Sequence, residues 1–285
     1  MMNWNQLISA KRFGMEEFHE ERQENRSEFQ RDYDRLIFSA PFRRLQNKTQ
    51  VFPLPGSVFV HNRLTHSLEV ASVGRSLGDD VAKALLERHP ELQDSFLPEI
   101  GSIVSAACLA HDLGNPPFGH SGEKAISTFF SEGKGVRLKE KQPNGEQLSP
   151  MEWEDLTHFE GNANAFRILT HQFEGRRKGG FVLTYTTLAS IVKYPFSSSL
   201  AGTKSKFGFF VSEEESFQKI ATELGLTLLN EHPLKYARHP LVYLVEAADD
   251  ICYQMMDIED AYKLKILTTE ETKELLMTYF SEERQ

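Results

Sequence analysis

A histidine and an aspartate stand side by side at the end of a strongly apolar stretch, as His111 and Asp112. Four residues of this stretch have the i, i+3, i+4, i+7 spacing of one helical face: Val104, Ala107, Cys108 and His111. A helix that buries this face turns the imidazole of His111 toward the interior. A single inward histidine is more often a satisfied core residue than a metal ligand. The metal interpretation therefore requires partners from other parts of the chain.

Two other predicted helices supply such partners. The first runs from about Leu64 to Arg88, and its stripe begins with a histidine: His66, Val70, Val73, Leu77 and Val81. The second runs from about Leu241 to Leu264 and carries a carboxylate within its stripe: Val242, Val245, Asp249, Cys252 and Met256. Asp250 is turned about 100° away from that face. Burying Asp249 among apolar side chains is costly unless it is paired or bound to metal.

The candidate ligands are two imidazoles and two carboxylates: His66, His111, Asp112 and Asp249. This donor set suits Mn²⁺ or Mg²⁺, with Fe²⁺, Co²⁺, Ni²⁺ or Zn²⁺ as alternatives. An octahedral ion with four protein ligands keeps two positions for a water molecule and a phosphate oxygen, as phosphoryl chemistry requires. A closed structural zinc site is the competing interpretation, but such sites usually recruit cysteine. Cys108 and Cys252 lie instead in predicted apolar helices, as expected for reduced core thiols.

The loop after the central helix contains a further histidine and carboxylate. Pro116 and Pro117 prevent the helix from continuing. His120 and Glu123 follow, three residues apart, where another helix is predicted over 121–130. These two side chains would therefore lie close to the end of the central helix.

Basic side chains near other predicted helix ends could bind an anion. Arg63 immediately precedes one helix, although a surface ion pair is the competing interpretation. An apolar helical pattern exits at Lys193. A segment rich in Ser, Gly and Lys, 197–212, offers Lys204 and Lys206, either to wrap an anionic group or as part of a solvated loop.

The bulk composition limits the class of protein. The 285 residues are enough to bury a substantial core, as one large domain or two small ones. A net charge of -9 excludes a general electrostatic attraction to nucleic acid or anionic membrane, while a local basic pocket stays open. No stretch approaches the roughly 20 apolar residues of a membrane span, and the N-terminus lacks the apolar core of a signal peptide. These features predict a soluble cytoplasmic protein.

Two segments have compositions that favour exposure to solvent. Residues 15–35 are densely charged and would form a solvated helix, an arm over a neighbouring subunit or a partly disordered stretch. Residues 133–153 are rich in Gly, Lys, Gln, Pro and Glu and are predicted to form an exposed loop. His158 follows, near the start of the next predicted helix.

Several long runs of residues together resemble one protein family. In chain order they are FRRLQNKTQVFP, HNRLTHSLEV, HDLGNPPFGHSGE, HFEGNANAFRIL, VKYP, KFGFF and VEAADDICY. They are similar to those of the HD-domain deoxyguanosine triphosphate triphosphohydrolases and related deoxynucleoside triphosphate triphosphohydrolases. The match extends from about Arg31 to Asp260, and its ordered motifs are far more specific than an isolated His-Asp pair. The resemblance implies an all-α, mostly helical HD-domain metal phosphohydrolase fold.

The resemblance also implies an activity and roles for individual residues. The activity is metal-dependent hydrolysis of deoxynucleoside triphosphates, with dGTP favoured, at the α-phosphorus, which releases deoxynucleoside and intact triphosphate. The family's metal ligands are matched by His66, His111, Asp112 and Asp249. His120 and Glu123 match its catalytic pair, in which the imidazole exchanges a proton and the carboxylate orients it. His158 matches a further active-site histidine.

The substrate-binding positions fall into two groups. Those that bind the triphosphate are matched by Arg63, Lys193, Tyr194 and Lys206. Those around the sugar and base are matched by Gln50, Val51, Tyr253 and Asp257. Tyr253 would stack under the deoxyribose and exclude a 2′-hydroxyl, while Asp257 would accept from the 3′-hydroxyl. Asn115 stands where some relatives have a second loop histidine, so no catalytic role is assigned to it.

The family pattern further implies an organisation in three segments. Residues 1–35 would form a charged N-terminal arm or helix, residues 36–265 the HD-type catalytic domain, and residues 266–285 the beginning of a C-terminal helical region that is truncated here. The expected partners are the dNTP substrate, other copies of the chain in a tetramer or hexamer, and a nucleotide or single-stranded DNA effector. No membrane partner is expected.

Two other functions use the same residues. An HD-domain phosphohydrolase that acts on nucleoside monophosphates or cyclic nucleotides would share the metal ligands, but Arg63, Lys193 and Lys206 provide more positive charge than one phosphate needs. A nucleotide- or single-stranded-DNA-binding regulator with a weak catalytic site would bind dNTPs without turnover. The presence of every expected catalytic residue argues against this second alternative.

Overall fold

The computed structural model describes residues 2–17, 26–53, 59–143, 145–175, 178–202 and 205–280, so Lys204 lies outside the described residues. The α-helices are α1 (Trp4–Leu7), α2 (Glu28–Ile37), α3 (Ala40–Arg44), α4 (Arg63–Arg88), α5 (Ile100–Ala110), α6 (Gly119–Ser131), α7 (Pro150–Thr157), α8 (Gly161–Thr170), α9 (Tyr185–Ile191), α10 (Glu214–Glu223), α11 (Val242–Lys263) and α12 (Thr269–Met277). Short 3₁₀ turns lie at Leu45–Asn47, Pro90–Leu92, Leu97–Glu99, Lys134–Lys139, Ser198–Leu200 and Val211–Glu213.

Strands make up very little of the described chain. Strands β1 (Leu228–Asn230) and β2 (Lys235–Tyr236) form one antiparallel pair, with Leu228 opposite Tyr236. The remaining regular structure of the described residues is helical. This confirms the predicted all-α class.

Helix α5 forms the centre of the core, because ten of its eleven residues are buried. Helix α4 packs along it through small residues. A Cβ atom added at Gly78 would lie 2.7 Å from the Cα atom of Gly101, and one at Gly74 would lie 2.6 Å from Sγ of Cys108. Glycine at these two positions therefore lets the two helix backbones approach closely.

The buried face of α4 differs partly from the predicted stripe. His66 and Val70 are buried as predicted, but Val73, Leu77 and Val81 are only half-buried. The face toward the core continues instead through Ala71, Gly74, Gly78 and Ala82. Close helix packing selects small residues, whereas the stripe prediction selects large apolar ones.

The start of α4 is fixed by a capping box at Asn62. Its side chain accepts hydrogen bonds from the N–H groups of Leu64 (3.0 Å) and Thr65 (3.1 Å). The Thr65 hydroxyl accepts in return from the N–H of Asn62 at 3.2 Å. Arg63 and His66 consequently occupy the first turn of α4, where that helix meets the end of α5.

The prediction of an irregular loop over 133–153 is wrong at its C-terminal end. Helix α7 begins at Pro150, with Ser149 accepting a hydrogen bond from the Glu152 N–H at 3.2 Å. The Glu152 carboxylate accepts in return from the Ser149 N–H at 2.8 Å. A capping box with proline in the first turn therefore outweighs the polar composition of this segment.

Both cysteines, Cys108 and Cys252, are free and buried, which confirms the predicted reduced core thiols. Among the described residues, none of the helices has the combination of length and apolar character that a bilayer span requires.

A buried ion-pair network joins the N-terminal residues to α2 and to the start of α9. Arg12 is 2% exposed, and its guanidinium donates to Glu28 (2.5 Å) and Asp32 (2.7 Å). Asp32 also accepts from the N–H and the hydroxyl of Thr184, at 2.9 and 2.6 Å. Since Thr184 caps α9, this network ties distant parts of the chain together.

Arg12→Met is expected to destabilise the fold strongly. It leaves Asp32 buried without its cation, and breaking such a pair costs about 3–5 kcal/mol. The free energy of unfolding from urea titration measures this loss. The matched control is Arg26→Met, because the Arg26–Asp34 pair is exposed and contributes about 0–1 kcal/mol. Equal destabilisation by the two substitutions would contradict the prediction.

Candidate active site

One cavity of about 390 Å³ collects most of the predicted site residues. It lies where the start of α4, the end of α5, the start of α6 and the middle of α11 meet. The predicted residues that line it are Gln50, Val51, Arg63, His66, His111, Asp112, His120, Glu123, Lys193, Tyr194, Lys206, Asp249, Tyr253 and Asp257.

The four candidate ligands converge on one point of this cavity. Nε2 of His66 lies 2.9 Å from Oδ1 of Asp249, and Nε2 of His111 lies 3.6 Å from the same oxygen. Nε2 of His111 is also 3.7 Å from Oδ1 of Asp112. Adjacent ligand atoms about 2.1 Å from an octahedral ion lie about 3.0 Å apart, and opposite ones about 4.2 Å apart. The donor atoms of His66, His111 and Asp112 all lie within 4.8 Å of one another, so these three residues could hold a divalent cation, and Asp249 contacts both imidazoles beside them.

Hydrogen bonds orient the two imidazoles for this role. Nδ1–H of His111 donates to the carbonyl oxygen of Cys108 at 2.6 Å, so its Nε2 faces the carboxylates. Nδ1 of His66 lies 3.4 Å from Sδ of Met256, and its Nε2 points to Asp249. Holding one ring nitrogen by a second contact is the usual way proteins orient histidine ligands.

The electrostatic setting favours positive charge between these side chains. Burial opposes protonation of His111, but Asp112 and Asp249 outweigh it and raise the pKa of His111 to about 9. Burial also opposes ionisation of the two carboxyls, yet the neighbouring histidines lower the pKa of Asp249, and His111 with Arg63 lowers that of Asp112. The carboxylates that favour a proton on His111 would equally favour a cation there.

Asp112 also accepts hydrogen bonds from two side chains that are not among the four candidate ligands. Nη1 of Arg63 donates to its Oδ2 at 2.6 Å, and both side chains are buried. The side-chain amide of Asn115 donates to Oδ1 of Asp112. Arg63 therefore lies beside the candidate metal centre in a buried ion pair, instead of the surface pair that was the competing interpretation.

His120 and Glu123 form a hydrogen-bonded pair in the first turn of α6. Nδ1 of His120 lies 2.8 Å from Oε2 of Glu123, and the His120 side chain is 85% exposed. Oε1 of Glu123 accepts a hydrogen bond from the N–H of Gly161 at 2.8 Å. If Nδ1 of His120 carries the shared proton, its Nε2 is free to exchange a proton with a molecule in the cavity.

Two lysines on the cavity wall pair with carboxylates. Nζ of Lys206 lies 2.9 Å from Oε1 of Glu160, and Nζ of Lys193 lies 2.8 Å from Oε1 of Glu246. Together with Arg63 they give the cavity three cationic groups. Such groups suit the phosphates of a nucleotide.

Comparison with known proteins finds similar sequences. The family model for the HD domain matches residues 63–178. A deoxyguanosinetriphosphate triphosphohydrolase-like protein of Pseudomonas aeruginosa (strain LESB58) is 46% identical over 97% of this chain and 61% of its own length. A protein of the same description from Synechocystis sp. is 45% identical over 93% of this chain and 61% of its own length.

The chain contains an HD domain and is similar along almost its whole length to proteins described as deoxyguanosinetriphosphate triphosphohydrolases or as like them. A deoxyguanosinetriphosphate triphosphohydrolase of Yersinia enterocolitica is 36% identical over 95% of this chain and 57% of its own length. The chain thus spans about three fifths of the length of these relatives. The HD-domain match includes His66, His111 and Asp112, while Asp249 comes from α11 beyond it.

Among the predicted site residues that the structure describes, His158 alone does not line the cavity. It caps the C-terminus of α7, with Nδ1 3.1 Å from the carbonyl oxygen of Glu154 and 3.1 Å from its Oε2. Its side chain therefore turns back onto its own helix. The active-site role inferred from the resemblance to this family stays a prediction.

Sequence reasoning missed three charged residues of the site. Glu160 and Glu246 line the cavity and hold its lysines. Nζ of Lys48 donates to the carbonyl oxygens of Leu113 (3.2 Å) and Asn115 (2.6 Å), which fixes the loop after α5. The only signal was their position inside the family-like runs HFEGNANAFRIL, VEAADDICY and FRRLQNKTQVFP.

Proposed function

We propose that this protein is a metal-dependent hydrolase that converts deoxynucleoside triphosphates, with dGTP favoured, to deoxynucleoside and inorganic triphosphate. One observation carries the proposal. A single cavity is lined by the four candidate metal ligands, the His120–Glu123 pair and three cationic side chains, Arg63, Lys193 and Lys206. The similarity to the Yersinia relative supports the same reaction, because that relative is named for it.

The proposed reaction balances as a displacement at the α-phosphorus. The oxygen of a water molecule bonds to that phosphorus, the bond to the 5′-oxygen breaks, and the leaving oxygen takes up a proton while the water loses one. A divalent cation held by the ligand cluster would act as a Lewis acid toward the phosphoryl group. His120 would move the proton at its Nε2, and Glu123 would keep the imidazole oriented.

The remaining cavity residues would bind and orient the substrate. Arg63, Lys193 and Lys206 would donate hydrogen bonds to the triphosphate. Each lysine ammonium has three N–H groups, so it can bind a phosphate oxygen and keep its carboxylate partner. Tyr253 lies one helical turn after Asp249 on α11, and Asp257 lies one turn further. Side chains at this spacing lie on one face of the helix, so Tyr253 and Asp257 would line a sugar pocket next to the candidate metal ligands.

Product analysis tests the proposal directly. The full chain is incubated with each dNTP and with Mn²⁺ or Mg²⁺, and then with Fe²⁺, Co²⁺, Ni²⁺ or Zn²⁺. We expect triphosphate and deoxynucleoside, with dGTP turned over fastest. Orthophosphate from a monophosphate, or opening of a cyclic nucleotide, would support the other phosphohydrolase class. Tight dNTP binding without turnover would support a regulator.

Tyr253→Ala is expected to admit ribonucleotides. A rigid aromatic ring below the sugar leaves no room for a 2′-hydroxyl, so its removal should raise GTP turnover relative to dGTP by at least about tenfold. The ratio of the two turnover rates measures this effect. Tyr243→Ala is the control, because Tyr243 is exposed on the same helix and does not line the cavity. An unchanged ratio in Tyr253→Ala would remove this residue from the sugar pocket.

The expected partners and segments stay predictions. Light scattering of the full chain, with and without dNTPs or single-stranded DNA, measures the tetramer or hexamer and its response to an effector. Limited proteolysis tests the division into residues 1–35, 36–265 and 266–285. Fractionation of the cells of origin tests the cytoplasmic location.

A further inference from the structure

Glu160 is a buried carboxylate beside the His120–Glu123 pair. Its role as a helix cap does not by itself explain why this position carries a glutamate. It is 1% exposed yet lines the cavity. As N-cap of α8 it accepts from the N–H groups of Asn162 (2.6 Å) and Ala163 (3.3 Å). Asparagine, aspartate or serine would perform this capping at least as well. What a shorter side chain would not supply is the contact with Lys206 at 2.9 Å.

Lys206 stands between two carboxylates and is bound to only one. Its Nζ is 2.9 Å from Oε1 of Glu160 and 3.7 Å from Oε2 of Glu123. The longer distance exceeds a hydrogen bond. Oε2 of Glu123 is the atom that lies 2.8 Å from Nδ1 of His120. Lys206 and His120 therefore approach the same oxygen, and Glu160 keeps the lysine at the longer distance.

The segment that begins at Glu160 also orients the other oxygen of Glu123. The N–H of Gly161, the first residue of α8, donates to Oε1 of Glu123 at 2.8 Å. A Cβ atom at Gly161 would lie 2.1 Å from the side-chain oxygen of Asn115 and 2.9 Å from Oε1 of Glu123. Only glycine allows this approach, so the start of α8 is built around Glu123.

We propose that Glu160 is a positioning residue: it binds Lys206 and thereby reserves Glu123 for His120. The inference rests on the proposed function, since the proton that His120 exchanges belongs to that reaction. Without a carboxylate at position 160, Lys206 would form a charge-assisted hydrogen bond with Glu123. A positive charge bonded to Oε2 would weaken the hydrogen bond from His120 that fixes which ring nitrogen carries its proton.

Glu160→Asn separates this role from capping, because asparagine is a strong N-cap residue but is neutral and one methylene shorter. We expect kcat for triphosphate release to fall about 10- to 100-fold, with no rise in KM and no loss of metal. In a Glu123→Gln background the same substitution should cause no further fall, because its effect runs through Glu123. Thr268→Ala, which removes the cap of α12 outside the cavity, is the control and should leave kcat unchanged.

A second measurement needs no substrate. In the full chain labelled with ¹⁵N-histidine, the ring nitrogens of His120 report the position of the proton. Glu160→Asn should shift them in the same direction as Glu123→Gln, while the signals of His89, which pairs with Glu91, stay unchanged. Unchanged His120 signals, or an equal fall in kcat in both backgrounds, would overturn the proposal and leave Glu160 as a cap. If the parent chain releases no triphosphate, the proposed function fails, and the His120 signals still decide the positioning role.

Discussion

Asp249→Ala is expected to lose Mn²⁺ binding and turnover, whereas Asp250→Ala keeps both. Oδ1 of Asp249 is the oxygen that both imidazoles approach, at 2.9 Å from His66 and 3.6 Å from His111. Removing it leaves two neutral ligands and one carboxylate to compensate a divalent charge. Since loss of a group that merely supports a ligand costs about 10- to 100-fold in metal affinity, loss of the ligand itself should cost at least about 100-fold.

The comparison with Asp250 controls for the loss of a negative charge from α11. Asp250 is the next residue on the helix, but its side chain is exposed and does not line the cavity. Metal content by plasma emission and Mn²⁺ affinity by calorimetry measure the two variants, and thermal unfolding checks that both are folded. Equal loss of metal from the two variants would refute the assignment of Asp249 by its helical face.

Helical periodicity is what made the metal cluster predictable from sequence. His66 and His111 each continue an apolar face, so burial of that face carries the imidazole into the interior. Asp249 lies next to the buried face of α11, but its side chain is 34% exposed, so the prediction of a buried carboxylate is only partly right. Residues outside helices, such as Gln50 on a loop, could not be predicted from helical periodicity and were predicted from the resemblance to the family. Local pattern and resemblance together predicted more than half of the residues that line the cavity.

The ion pairs of Arg63 and Lys206 could not be predicted, because each joins residues far apart in the chain. Arg63 and Asp112 are 49 residues apart, and Lys206 and Glu160 are 46 apart. No local spacing encodes such partners, which depend on how α4, α5 and α8 meet. His158 has a different cause: its partner Glu154 is only four residues earlier, but the sequence analysis assigned residues up to 153 to a loop and did not identify helix α7, which brings the two together.

The candidate metal ligands and the His120–Glu123 pair are two separate groups of polar side chains in the cavity. The second large expected effect depends on this separation. The ligand cluster lies at the buried ends of α4 and α5, where carboxylates and imidazoles neutralise one another. His120 lies across the cavity on α6 and has a contact only with Glu123 among the charged residues described there. A change at His120 should therefore affect the chemical step without disturbing the metal.

His120→Ala is expected to keep its metal and bind dGTP within a few-fold of the parent, yet lose about 10²- to 10⁴-fold in triphosphate release. The loss follows from removing the group that carries the proton, since Glu123 alone has no imidazole to orient. The competing interpretation is that His120 only caps α6. Its removal would then cost about 1 kcal/mol of stability and leave turnover per folded molecule intact.

The geometry of α6 already disfavours that alternative. The helix begins at Gly119, one residue before His120, and its N-cap Phe118 has a φ of 66° and no side-chain capping bond. The imidazole is instead bonded to Glu123 one turn on. His89→Ala is the matched control, because His89 is also an exposed histidine paired with a carboxylate, outside the cavity. We would measure dGTP affinity by calorimetry, metal content and product release on the same preparations. Near-normal turnover of His120→Ala, or loss of its metal, would each refute the role of His120 as the proton carrier.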